Sequence, residues 1–308
     1  GSYTNDIDSY LKKYRLHKAV EMMKNFRNTH KIEADDVMTL ALQFECLGDH
    51  IVKLDTENNH SIPLNDKETS AFLDALNDFY RQSDFRKFFD QHSDVYANGI
   101  LSFYNSVVSH IDPSWYSRFY GTQPNKDLHI VIGFASGGNY YRATRTRQGG
   151  PEEIFSIMYY AVDNNGRPLY DKSAVGTITE ELCLSFIDIE NNDVKTTLEK
   201  ACENVHRYTR EKPIAAVTDK SIMEESLAYA SAIYYLIDNG SSKKSIRKAV
   251  DEGIERGFSW TPELIKRIYY YTENRKEFPT FASFYPEIIE FFKDYTANLG
   301  KTILKVLR

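Results

Sequence analysis

A chain of 308 residues is long enough to bury one large core or two closely packed ones. Its 38 basic and 44 acidic residues leave a net charge of −6, which argues against a general binder of nucleic acid or of anionic membranes. No apolar run approaches the roughly 20 residues that span a bilayer, so no transmembrane segment is expected.

The first third reads as helices. Tyr10, Leu11, Tyr14, Ala19, Val20 and Met23 recur at helical spacing, as do Val37, Leu40, Ala41, Phe44 and Leu47. A polar loop around Thr56 to Pro63 precedes a third amphipathic segment with Phe72, Leu76 and Phe79. A fourth, with Ile100, Phe103, Tyr104 and Val107, stops before Asp112-Pro113. No fixed period marks a helical repeat.

The pattern then changes. His129 to Phe134, Tyr140 to Thr144 and Ile154 to Tyr160 are β-branched and aromatic runs. Ser136-Gly137-Gly138-Asn139, Gln148-Gly149-Gly150-Pro151 and Asp163-Asn164-Asn165-Gly166 punctuate them as turns. The glycine pair at 137–138 is a turn before it is a phosphate cradle.

After residue 175 helices return. Thr177 with Glu180, and Ser221 with Glu224, have the form of capping boxes. Thr261-Pro262 reads as an N-cap followed by a proline in the first turn, and Phe284 to Leu299 as a last amphipathic helix. The order of helices, a small sheet and helices again predicts an α+β fold. A helical part over 1–125 and a part with the sheet and later helices over 126–308 are expected to pack as one unit, since no long linker separates them.

Cys46, Cys183 and Cys202 are scattered and odd in number, so they form neither a disulfide framework nor a Cys-x-x-Cys metal site. Three buried thiols are expected, with Cys183 and Cys202 the nearest pair for a bridge. His17 and His129 sit among apolar residues and read as structural. The eight histidines show no His-x-His or His-x-x-x-His pair. Neither a Gly-x-Ser-x-Gly elbow nor a Walker-type loop is present.

Several segments together carry a resemblance. They are Tyr14 to Val20, Asp35 to Leu42, Trp115 to Gly121, Gly137 to Tyr140, Arg256-Gly257-Phe258 and Asn274 to Phe281. The chain resembles, over nearly its whole length, the bacterial domain-of-unknown-function family 4932. Its members are uncharacterised, mostly exported proteins described as zinc peptidases. The resemblance implies a zincin-like fold, export or surface display, and zinc in active relatives. The family's hallmark is similar to His-Glu-Phe-x-His-Ser-Phe, which falls on Glu180 to Phe186 with Ser185-Phe186 retained. In a zincin helix the two histidines, four residues apart on one face, bind Zn²⁺, and the glutamate activates the metal-bound water. Here Glu181 keeps the base position, but the ligand positions hold Glu180 and Leu184. By the same resemblance Glu225 takes the place of the third ligand. Its neighbour Glu224 points about 100° away on the helix. The family's Asn-Tyr-Gly reads Asn139-Tyr140-Tyr141 here, placing Asn139 and Tyr140 at the cleft.

Leucine has no lone pair, so this frame does not close the three-ligand shell that catalytic zinc needs. The remaining carboxylates suit harder cations, and only with further ligands. No cofactor is therefore expected. Glu180 also has a simpler reading as the capping-box partner of Thr177, and Glu181 as a first-turn acid favoured by the helix dipole. If the ancestral geometry survives, Glu180, Glu181 and Glu225 converge, and such a cluster either keeps a proton or recruits a cation. Leu184 then fills the second histidine's space.

The expectation is a catalytically inactive zincin homologue whose cleft binds a peptide, glycan or protein. Peptide addition along the strand around Asn139 to Thr144 is one mode, provided that strand is an edge. The alternative is an active metal-dependent hydrolase with unusual ligands around Glu181 and Glu225. A paired-carboxylate glycosidase and a purely structural helical scaffold rank lower.

Overall fold

In a computed structural model of the chain, the described residues are 2–57, 64–136, 140–159, 162, 169–170, 173–187, 189, 196 and 222–306. The fold is α+β and mostly helical, with small sheets. Two compact units emerge, Gly1–His110 with Lys126–Val175, and Ile111–Asn125 with Gly176–Arg308. The central sheet thus groups with the N-terminal helices.

In the first unit, α1 (Ser2–Leu11), α2 (Lys18–Thr29) and α3 (Ala34–Ala41) lead to a hairpin of β1 (Phe44–Leu47) and β2 (His50–Lys53). The short β3 (Thr56–Glu57) precedes α4 (Asp66–Gln82), α5 (Phe85–Gln91) and α6 (Ser93–Ser106). His17 starts α2: its Nδ1 accepts from the Ala19 amide at 3.2 Å, while its Nε2 lies 3.2 Å from Asp78. Histidine's structural reading is thereby explained at this position. Asn65 and Glu68 form a reciprocal capping box at the start of α4. The apolar faces of α2, α3 and α4 close over Ala19, Phe26, Leu40, Phe72 and Ala75, which share one core with Ile32.

The helical spacing over residues 37–47 overruns the element. Helix α3 ends at Ala41, and Phe44 to Leu47 is a strand. Gly48, at φ +64°, turns the chain so that Ile51 and Val52 pair back onto Cys46 and Glu45. Only Phe44 of β1 packs inward, so Cys46 is exposed rather than buried.

The main sheet runs β3-β5-β6-β4, with β4 (Lys126–Gly133), β5 (Tyr141–Arg147) and β6 (Glu152–Tyr159). Strand β6 is antiparallel to β5 and parallel to β4. β5 lies between β3 and β6, but β3 reaches only Thr146 and Arg147, so over Tyr141–Thr144 the strand partner among the described residues is β6 alone; β4 ends the sheet. The register sets His129, Phe155 and Ala143 side by side, and next to them Glu153 opposite Arg145. Glu153 is nearly buried. It accepts from Arg145 Nε at 2.7 Å and Nη2 at 2.9 Å, with His129 Nε2 at 3.2 Å and Arg147 Nε at 3.4 Å. Arg145 also donates to the Leu42 carbonyl at 3.0 Å, tying the end of α3 to the sheet.

The second unit holds α7 (Pro113–Tyr120), most of α8 (Ser173–Leu184), α9 (Ile222–Asp238), α10 (Lys243–Glu255), α11 (Thr261–Glu273) and α12 (Tyr285–Val306). Asp112 caps α7, with Pro113 in its first turn. Gly121 ends it at φ +70°, where a Cβ would stand 2.3 Å from the Pro279 carbonyl oxygen. Thr261 is the first residue of α11, with Trp260 at the cap, one residue from the expected boundary. The core is aromatic: Trp115 stacks on Phe119, Tyr116 on Tyr235, and Tyr120 on Phe186. Trp115 Nε1 donates to Asp238 at 2.8 Å, and the Asp112 amide donates to the Tyr235 hydroxyl at 2.9 Å, so α7 is pinned to the end of α9. The turns expected at 137–139 and 163–166, together with Ser221 and Cys202, lie outside the described residues.

Hydrogen bonds from Arg145 hold the Glu153 carboxyl below the ordinary range. Its folded pKa is lower than its unfolded value of about 4.3, so its stabilisation is complete above that value and is lost as pH falls through the folded pKa. Urea unfolding from about pH 7 down to about pH 3 should show stability falling at the acid end, with a shallower fall in Glu153→Gln. Equal slopes in the two proteins would remove Glu153 from the acid response.

Candidate functional site

Helix α8 carries the frame that resembles a zinc helix. It begins at Ser173, with Ala174 and Ile178 buried one turn apart, so packing extends the helix a full turn upstream of Thr177. Thr177 and Glu180 are therefore interior residues and form no capping box, and Glu181 is not in the first turn. Ser185 ends the helix: its amide donates to the Glu181 carbonyl at 3.0 Å and its Oγ to Leu182 O at 2.8 Å. Phe186 then stacks against Tyr116 and Tyr120. Ser185 and Phe186 thus anchor the end of α8 in the aromatic core.

Freed from the cap, Glu180 turns to Arg256. Nη1 and Nη2 of Arg256 donate to its two carboxylate oxygens at 3.0 and 2.8 Å, a bidentate pair. Nη2 also lies 3.9 Å from Glu225 Oε2. The side chains of Glu180 and Glu225 are 12% and 7% exposed, and that of Arg256 is 36% exposed. Two of the three sequence-predicted carboxylates are thus brought to one guanidinium.

The geometry follows from how α9 meets α10. Glu225 and Tyr229 are four residues apart and share a face of α9. The Tyr229 hydroxyl donates to the Ala249 carbonyl of α10 at 2.8 Å, and a Cβ on Gly253 would come within 2.6 Å of the Tyr229 ring. Glycine at 253 is what lets the two helices approach this closely. Arg256 follows at the C-cap of α10, its guanidinium 4.4 Å from the Tyr229 ring centroid and 5.3 Å from that of Phe258. Burial works against the Arg256 charge, but hydrogen bonding and attraction from Glu180 outweigh it and raise its pKa. Burial also pushes the Tyr229 phenol up to about 12, against the opposing pull of Arg256.

Glu181 is 1% exposed and Leu184 6%, both within the buried side of α8. Between them Cys183 is fully buried, and burial raises its thiol pKa. Glu225 is buried while Glu224 is half-buried, as their separation around the helix requires. Tyr140 is half-buried just before β5, in the first unit. Asn139 lies outside the described residues. Arg256 had no role in the sequence reading beyond its place in a similar segment. One arginine near a helix end, before Gly257 at φ +93°, does not announce its partner seventy-odd residues earlier.

The donor set does not fit zinc. Both oxygens of Glu180 are engaged by Arg256, Leu184 offers no lone pair, and Glu225 has the same guanidinium 3.9 Å away. Among the described residues no group of three or more His, Cys, Asp or Glu is placed to hold a metal ion.

Fold and site define an α+β protein in which two acidic helices converge on a single arginine held over aromatic rings. The chain belongs to the family described as a domain of unknown function, DUF4932, whose model matches residues 1–291. Searches of curated proteins and of solved structures found no match.

Gly253 and Gly176 separate the close approach from helix propensity. Both lie inside helices, where Gly→Ala ordinarily gains about 1 kcal/mol. Gly176→Ala should show that gain, since nothing lies within 4 Å of its Cβ position. Gly253→Ala should instead lose about 1–3 kcal/mol in denaturant unfolding, from collision with a ring tethered to Ala249. A gain at both positions would show that α9 and α10 are not in the contact described.

Proposed function

We propose that the chain is a catalytically inactive, zincin-like homologue that acts by binding a peptide, glycan or protein. The observation that carries this reading is the state of the two ligand positions in α8. Glu180 is paired with Arg256, and Leu184 is buried and offers no lone pair. A glutamate in the base position needs an activated water beside it, and neither flanking position supplies a ligand to activate one. Glu181 is itself almost wholly enclosed. Export, which the family resemblance implies, belongs to the same proposal. The competing hydrolase reading keeps Glu181 as base with Glu225 among the ligands.

Both readings are tested by incubating the purified chain and its Glu181→Gln variant with a quenched-fluorescent peptide library and added Zn²⁺ or Mn²⁺. The non-catalytic reading expects no cleavage above buffer for either protein. Cleavage by the native chain that disappears in Glu181→Gln would overturn it and establish the hydrolase.

A further inference from the structure

We infer that Arg256 is the resident cation of this site: its guanidinium takes the place that a metal ion holds between the ligand positions at 180 and 225. The inference rests on the zincin-like reading for the placement of Glu180 and Glu225, and it adds how their charge is balanced.

Two largely buried carboxylates on different helices do not approach one another unless something positive lies between them, because each raises the cost of ionising the other. Here one atom, Arg256 Nη2, is 2.8 Å from Glu180 and 3.9 Å from Glu225. The arrangement is built rather than incidental. The stem reaches the carboxylates from the C-cap of α10, the Tyr229 and Phe258 rings lie beside the guanidinium, and Gly253 permits the helix approach. The ion pair is bidentate, a geometry that arginine supplies and lysine does not. A divalent ion at the same carboxylates would have to displace a fixed positive charge and strip Glu180 of both hydrogen bonds. Leu184 is then no defect, because a bound guanidinium needs no imidazole at that position.

Removing the guanidinium should expose the latent site. Arg256→Met keeps much of the stem's bulk and takes the guanidinium away from Glu180 and Glu225, whose carboxylates are hard oxygen donors suited to Mn²⁺. In calorimetric titrations with Mn²⁺ and Zn²⁺, Arg256→Met should bind at least about tenfold more tightly than the native chain, and adding Glu180→Gln should abolish the gain. Arg256→Lys, which keeps the charge, should stay close to the native chain. If Arg256→Met does not fold alone, Mn²⁺ should restore its native circular dichroism. A second pair tests the same point with zinc: Glu180→His, Leu184→His should bind Zn²⁺ at least about tenfold more weakly with Arg256 present than with Arg256→Met added.

Equal metal affinity with and without Arg256 would overturn the inference. So would failure of both ions to bind the folded variant or to rescue an unfolded one. Peptide cleavage dependent on Glu181 would overturn the non-catalytic reading instead and leave the metal titrations as they stand.

Discussion

The pairing of Arg256 with Glu180 is the constraint on which the C-terminal unit is arranged. It joins the C-cap of α10 to the middle of α8, and through the longer approach to Glu225 it reaches α9. The partners lie between the surface and the core, where Coulomb attraction is stronger than in water and desolvation is only partly incurred. A surface pair of this kind contributes little, and a wholly buried one barely repays its desolvation. This pair has partial burial, two parallel hydrogen bonds and aromatic rings beside the cation, the circumstances in which such an interaction fixes geometry.

The rest of the unit supplies rigidity around it. Phe186, just past α8, lies against Tyr116 and Tyr120 of α7, and α7 is pinned by Trp115 to Asp238 at the far end of α9. The loop after α11 closes on α7 as well: Arg275 donates to the carbonyls of Phe119 and Pro279, and the Tyr271 hydroxyl donates to Phe119 O at 2.6 Å. Gly121 is required where Pro279 meets the end of α7. The helices that carry Glu180 and Glu225 are therefore set beside an aromatic framework that joins α7, α9 and the loop after α11.

Much of this was legible in the sequence, and the failures have identifiable causes. Apolar spacing located most helices, and β-branched and aromatic runs bounded by turn residues located the three long strands, of which β6 is buried on both faces. The hairpin at 44–53 was missed because Phe44 and Leu47 continue a helical spacing by coincidence, and Gly48 alone marks the turn. The capping box at Thr177 was a valid local signal overruled by tertiary packing of Ala174 and Ile178. The Glu180 and Glu225 positions came from family resemblance and do approach a common partner. Arg256 could not be found that way, since a guanidinium that balances distant carboxylates has no spacing rule.

The central claim is that Glu180 and Arg256 act on each other and not merely beside each other. A double-mutant cycle with Glu180→Gln, Arg256→Gln and the double variant, read by urea unfolding at neutral pH, isolates that term. Because Arg256 is about a third exposed, a coupling of about 1–2 kcal/mol is expected, below the value for a fully buried pair. A coupling under about 0.3 kcal/mol would mean that the two residues contribute independently, and the account of this site as a charge-balanced lock would fail.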